Sequence, residues 1–154
     1  MSVPGSLSRS VAEWTGHNKL WFKPSDPAFA CATTARTTLE AGGNFLAMRY
    51  EWSHAGSAHH GMILLGEDVA AARCDAAWVD SFHNGQRLML CTGPISTDGV
   101  LRATGAYPAP PGPDWGWRLE LSAPAPEQLL LRMFNIMPDG TEALAVEASY
   151  SRRR

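Results

Sequence analysis

The chain lacks a dominant charge, a cysteine framework, a long apolar run and a leader-like start, and each absence removes a class of function. Its 13 Lys and Arg against 15 Asp and Glu leave a formal net charge of −2. Such a balance offers no electrostatic footprint for nucleic acid, and the one basic cluster, Arg152 to Arg154, reads as a solvated tail. Three cysteines, Cys31, Cys74 and Cys91, are odd in number, scattered, and form no CxxC pair. That excludes a disulfide framework and a zinc ribbon. No apolar stretch approaches the roughly 20 residues of a membrane-spanning helix. The opening "MSVPGSLSRSVAEW" has neither a basic n-region nor an apolar h-region. A cytoplasmic protein with no membrane contact is therefore expected.

What is present is alternation. The 154 residues suit one domain over 1–154, long enough to bury about 68–70% of the unfolded surface without staples. Apolar and polar residues alternate through "HNKLWFK", "CATTARTTLE", "FLAMRYEW", "HHGMILLG", "AAWVDSFH", "RLMLCTG", "VLRATGAY", "WGWRLELS", "QLLLRMFNI" and "EALAVEASY". Separators rich in Gly, Pro, Asn and Asp part them, which is the pattern of half-buried strands in hairpin order. In "FLAMRYEW", Leu46, Met48, Tyr50 and Trp52 fall on one face and Ala47, Arg49 and Glu51 on the other. Ser10 and Glu13 stand at capping-box spacing, which predicts at most one short N-terminal helical turn over "SVAEW". "DVAAARCDAA" and "QLLLRMFNI" have helix-friendly composition, but the Asp139-Gly140 turn after the second favours a strand there.

About ten antiparallel strands in meander order must dispose of their edges, and an up-and-down barrel does so by closing. The fold class expected is all-β, an up-and-down barrel of about ten strands. Eight strands make a barrel that side chains can just fill, so ten leave interior space for a ligand. A two-sheet sandwich with a full core is the alternative. The run "YPAPPGPDWGWRLEL" (107–121) carries Pro108, Pro110, Pro111 and Pro113 between two alternating segments. Proline cannot donate to a sheet ladder, so the run is a stiff hairpin loop and not an exposed recognition peptide.

Three segments carry a family resemblance: "WVDSFH" (78–83), "YPAPPGPDWGWRLEL" (107–121) and "MFNIMPDGTEALAVEASYSR" (133–152). Together with "WTGHNKLWFKPSDP" (14–27) and "FLAMRYEW" (45–52) they resemble the bacterial domain of unknown function 1579 family over nearly the whole chain. The resemblance implies a calycin-like barrel of roughly ten strands, similar to lipocalins and fatty-acid-binding proteins, and implies no activity. Related barrels bind fatty acids, small hydrophobic molecules or haem. In the haem-binding relatives an axial histidine lies near the C-terminus. Here no histidine follows His83, and Trp14-Thr15-Gly16 is only a fragment of their glycine-rich motif. No cofactor is expected.

Metal and catalytic readings find little support. His59 and His60 are neighbours, and neighbours on a strand point to opposite faces, so they cannot grip one ion together with His54. Asp80, Ser81 and His83 hold the atoms of a hydrolytic triad. On a strand, however, Ser81 and His83 would stand roughly 7 Å apart, beyond a nucleophile–base hydrogen bond. An enzyme using Asp80 or His83 as general acid–base is the least supported reading.

The polar groups on apolar faces say more. Asp80 shares a face with Trp78 and Phe82, and Asn135 shares one with Leu129, Leu131 and Met133. If those faces point inward, both polar groups are buried and need partners. They either hold strand register through backbone or arginine bonds, or orient a ligand's polar end. Six tryptophans in the chain are a high number, and a barrel wall leaves some of them facing an interior. Were the barrel turned the other way, Arg49 or Arg118 would be the inward carboxylate anchor. The expected function is binding of a small, largely apolar molecule, with Tyr50, Trp52, Trp78, Asp80, Trp117 and Asn135 lining the site. A surface-acting interaction module, such as a homodimer without ligand, is the alternative.

Overall fold

A computed structural model describes residues 2–154. After a helical turn α1 (Gly5–Ser8) come ten strands: β1 (Ala12–Leu20), β2 (Phe29–Glu40), β3 (Phe45–His54), β4 (Ser57–Asp68) and β5 (Arg73–Asp80), then β6 (Met89–Pro94), β7 (Val100–Tyr107), β8 (Trp115–Ala125), β9 (Gln128–Ile136) and β10 (Glu142–Arg152). Each pairs antiparallel with the next, and β1 pairs with β10, so the sheet closes as an up-and-down barrel. The alternation that marks the strands is the same alternation that fills the inside. On β5, for example, Cys74, Ala76, Trp78 and Asp80 are buried while the residues between them are not. The proline run forms the loop joining β7 to β8, whose ladder begins at Tyr107 opposite Trp115.

At the closing seam a glycine permits a very close backbone approach. Gly16 pairs with Tyr150 at the β1–β10 seam, and a Cβ there would come within 1.9 Å of the Ser149 carbonyl oxygen. No side chain fits such an approach. Nearby, Arg152 donates to the carbonyls of Arg9, Val11 and Pro126 and lies 4.9 Å above the Trp14 ring. Arg152 is thus a clasp between the chain's two ends and not part of a solvated tail.

The N-terminus also departs from expectation. The helical turn is at Gly5–Ser8, ahead of the segment assigned to it, and Ala12–Leu20 is strand. Ser10 caps nothing; its hydroxyl donates back to the Leu7 carbonyl. Tertiary burial decides this, because strand geometry sends Trp14, Asn18 and Leu20 to the interior, whereas a single helical turn would bury little. The turn instead lodges the wholly buried Leu7 against the core. That end of the barrel is filled by Leu7, Trp14, Leu46, Leu65, Leu121 and Leu129. The opposite end is open. Among the described residues no helix is long and apolar enough to cross a membrane.

Candidate functional site

The open end holds a cavity of about 670 Å³. Its walls come from the ends of β1, β5, β7 and β9, the starts of β6, β8 and β10, and the loops after β1 and β5. Aromatic rings dominate: Trp21, Phe22, Trp78, Phe82, Tyr107 and Trp117 all line it. Trp78 and Trp117 stack nearly parallel with centroids 5.2 Å apart. The His83 ring packs against both, at 5.7 and 5.6 Å.

Beneath this aromatic layer lies a buried carboxylate. Asp80 ends β5, and its Oδ1 accepts the backbone N–H groups of Phe82 and His83 at 2.8 and 3.0 Å. The chain therefore turns there, and Phe82 leaves the strand for the cavity mouth instead of continuing on the Trp78–Asp80 face. Oδ2 accepts the Tyr50 hydroxyl at 2.8 Å and the Trp52 indole N–H at 3.4 Å. Trp78 in turn donates to the Tyr50 hydroxyl at 2.8 Å. His83 Nδ1 lies 3.2 Å from Oδ1.

Burial pushes the Asp80 pKa up. The His83 side chain, its charge and its backbone N–H, with the Tyr50 hydroxyl, outweigh that and bring it down to about 2. Burial, with the Asp80 charge close by, raises Tyr50 well above its ordinary range. An ionised carboxylate can only accept, so the Asp80 contact assigns the proton to His83 Nδ1. His83 Nε2 is left without a partner among the described residues.

Two further groups on the wall have unused hydrogen-bonding capacity. Trp117 is 5% exposed, and its indole Nε1 has no partner among the described residues. Asn135, opposite Trp117 in the β8–β9 ladder, accepts the Tyr107 hydroxyl at 2.6 Å through Oδ1. That fixes the amide's orientation and leaves its NH₂ for another partner. Chemically, the site can enclose an apolar body between aromatic faces and offer N–H donors to one end of it.

The residues singled out from the sequence separate into two layers. Trp78, Trp117 and Asn135 line the cavity itself. Tyr50, Trp52 and Asp80 lie deeper, around a void of only about 10 Å³, and reach the cavity through Trp78 and His83. Sequence reasoning missed Tyr107 and the role of His83 beside Asp80. It also missed Gly61, where a Cβ would fall 2.1 Å from the Tyr50 ring. The only available signal for Gly61 was a glycine within an otherwise alternating strand.

Closure fixes which strand faces point inward. Arg49 is on the outside, and so is Arg118, which bonds Glu120 at 3.1 Å and also pairs with Glu142. Arg102 and Arg132 reach the same Glu120 from the adjacent strands. Arg118 is occupied by this outer network and Arg49 pairs with Glu40 at 3.6 Å, so neither anchors anything in the cavity. Ser81 bonds towards His59 at 3.4 Å on the exterior, and among the described residues it makes no hydrogen bond with His83. Among the described residues no group of three or more His, Cys, Asp or Glu side chains is arranged to hold a metal ion.

Two solved structures share this architecture. Rv2717c from M. tuberculosis superposes with a TM-score of 0.61 at 12% identity, covering 99% of this chain and 100% of its own. The S-type phycobiliprotein lyase CPES from Guillardia theta does so with a TM-score of 0.61 at 12% identity, covering 100% of this chain and 94% of its own. At such identity the likeness is one of fold. No curated protein matches the sequence with significance. The profile described as "Protein of unknown function (DUF1579)" matches residues 5–152, nearly the whole barrel from the helical turn to the end of β10, and the chain belongs to that family.

Proposed function

We propose that this chain is a single calycin-like barrel domain, cytoplasmic, that binds a small and largely apolar molecule at its open end. Trp78, Trp117 and Asn135 contact the ligand, and Tyr50, Trp52 and Asp80 form the floor that holds Trp78 and His83 in place. The observation that carries the reading is the cavity of about 670 Å³ walled by aromatic rings. That volume is within the range of small-molecule sites, as is a lining of apolar surface with a few placed polar groups. The likeness in fold to a phycobiliprotein lyase agrees with small-molecule binding by analogy.

The test is native mass spectrometry of the purified protein with a panel of fatty acids and aromatic acids, run beside tryptophan quenching. Stoichiometric adducts and quenching that disappears in Trp117→Ala support the proposal. Absence of any adduct across the panel overturns it. A second reading, self-association, is favoured by Leu88 and Leu90, which are 59% and 71% exposed and flank Met89, the first residue of β6. It requires a concentration-dependent mass in light scattering that Leu90→Lys abolishes.

A further inference from the structure

We infer that the molecule held in this cavity carries a carboxylate or an equivalent anionic group, set against Trp117, Asn135 and Arg87. The inference rests on the binding reading above and adds the ligand's chemical class. It starts from which polar groups of the wall are already satisfied.

Asp80 is fully engaged: five donor contacts reach its two oxygens, from Tyr50, Trp52, Phe82 and twice from His83. Tyr107 spends its hydroxyl proton on Asn135. The Asn84 amide N–H goes to the Trp78 carbonyl. Beside two acceptors, Asn84 Oδ1 and His83 Nε2, the wall keeps two donors that no protein group among the described residues satisfies. The Trp117 indole N–H is buried and has no partner among the described residues, and the Asn135 NH₂ is left over once Oδ1 has accepted from Tyr107.

A buried donor without an acceptor is costly, and native proteins rarely leave one so unless something else supplies the acceptor. Trp117 and Asn135 are also directly opposed across the β8–β9 ladder, so one acceptor group can serve both.

Charge points the same way. Arg87 lines the cavity, and none of the lining residues is a carboxylate. Among the described residues Arg87, like Arg9, Arg153 and Arg154, forms no salt bridge, and of these four it alone lines the cavity. The nearest buried negative charge, Asp80, is screened by its own donors. His83, with its proton on Nδ1, presents Nε2 as an acceptor, so an anion is set by Trp117, Asn135 and Arg87 and not by the imidazole. A cavity with aromatic walls, two neutral donors facing one another and an unpaired guanidinium fits an apolar acid better than the matching alcohol or amine.

The experiment compares matched probes on the full-length protein. 2-Naphthoate is set against 2-naphthylmethanol and 2-naphthylmethylamine, and dodecanoate against dodecanol, by calorimetry and tryptophan quenching. The acids are expected to bind roughly 10-fold or more tightly than the alcohols, the scale of charged hydrogen bonds. Trp117→Phe, which keeps an aromatic ring but removes the N–H, and Arg87→Gln should each shrink the acid-to-alcohol ratio several-fold.

Equal binding of acid and alcohol, or a ratio unmoved by both substitutions, overturns the anion inference while the apolar-cavity reading stands. Failure of every probe to bind removes both. Should Trp117→Phe fold poorly, Arg87→Gln, in an exposed loop segment, decides the matter through the same ratio.

Discussion

Trp78 on β5 and Trp117 on β8 lie within 5° of parallel with centroids 5.2 Å apart, although β6 and β7 separate their strands in the barrel wall. The stack bridges the lumen and divides packed core from open cavity. The two rings differ in what else they do. Trp78 is 1% exposed and donates to Tyr50 at 2.8 Å, whereas Trp117 has an unpartnered N–H beside the cavity.

Trp78→Ala is therefore expected to cost about 3–5 kcal/mol, the range for truncating a large buried aromatic, and Trp117→Ala less, because truncating it breaks no hydrogen bond whereas truncating Trp78 leaves the Tyr50 hydroxyl without its donor. Urea denaturation of both variants measures this. Equal losses would mean that the Trp78–Tyr50 hydrogen bond contributes nothing to stability and that the two rings are equivalent.

The Asp80 network predicts an acid-sensitive component of stability. Burial alone would raise the carboxyl, but the donors around it prevail, and its pKa drops from 3.8 to about 2. A depressed folded-state value means the contribution is fully present above the unfolded pKa and fades as pH falls from about 4 to about 2, amounting to about 2 kcal/mol. Asp80→Asn removes the titration and turns an acceptor towards donors, at a cost of about 1–3 kcal/mol near neutral pH. The stability gap between wild type and Asp80→Asn should shrink through that acid window in a denaturation series. A gap independent of pH would show that Asp80 is not ionised in its buried site.

Gly61 is the position that admits Tyr50. It faces Tyr50 on β3 and Asp80 on β5, and an added Cβ would lie 2.2 Å from the Tyr50 hydroxyl oxygen. Gly61→Ala should displace the ring, break its bond to Asp80 and cost about 1–3 kcal/mol, as overpacking does. The near-ultraviolet circular dichroism of the tryptophans around Tyr50 should change with it. Wild-type stability together with an unchanged spectrum would contradict this placement of Tyr50.

Cys91 reports on the weakest rung of the wall. It is buried on β6, where burial pushes its thiol up to about 12, and β6 is joined to β7 by the single registered pair Thr92 and Thr104. Cys74 is also buried, with a raised pKa, but on β5, which has long ladders to β4 and shorter ones to β6. Thiol labelling under native conditions should reach the half-buried Cys31 first, then Cys91 through local opening of β6, and Cys74 last. Labelling of Cys74 before Cys91 would place the weak seam elsewhere.

Much of the architecture was legible because a strand's side-chain period is two and the separators carry turn chemistry. "VLRATGAY" is β7 residue for residue, and "FLAMRYEW" lies within β3 with its aromatic face inward. The N-terminal turn was less legible. Ser10 and Glu13 have capping-box spacing, but that weak local preference yields to the burial of Trp14, Asn18 and Leu20 along β1.

At the site, the sequence by itself placed Trp78 and Asp80 on one face and Asn135 among apolar neighbours, since these follow from alternation within one strand. It could not decide whether that face points inward, because both faces of β8 carry credible interior groups until closure packs Glu120 among Arg102, Arg118 and Arg132 on the outside. Nor could it bring Tyr107 to Asn135, Trp78 to Trp117, or His83 back onto Asp80. The first two contacts cross between strands, and the third depends on the chain turning at Asp80. Periodicity within a strand is a local property of the chain. Proximity across the lumen exists only once the barrel is closed.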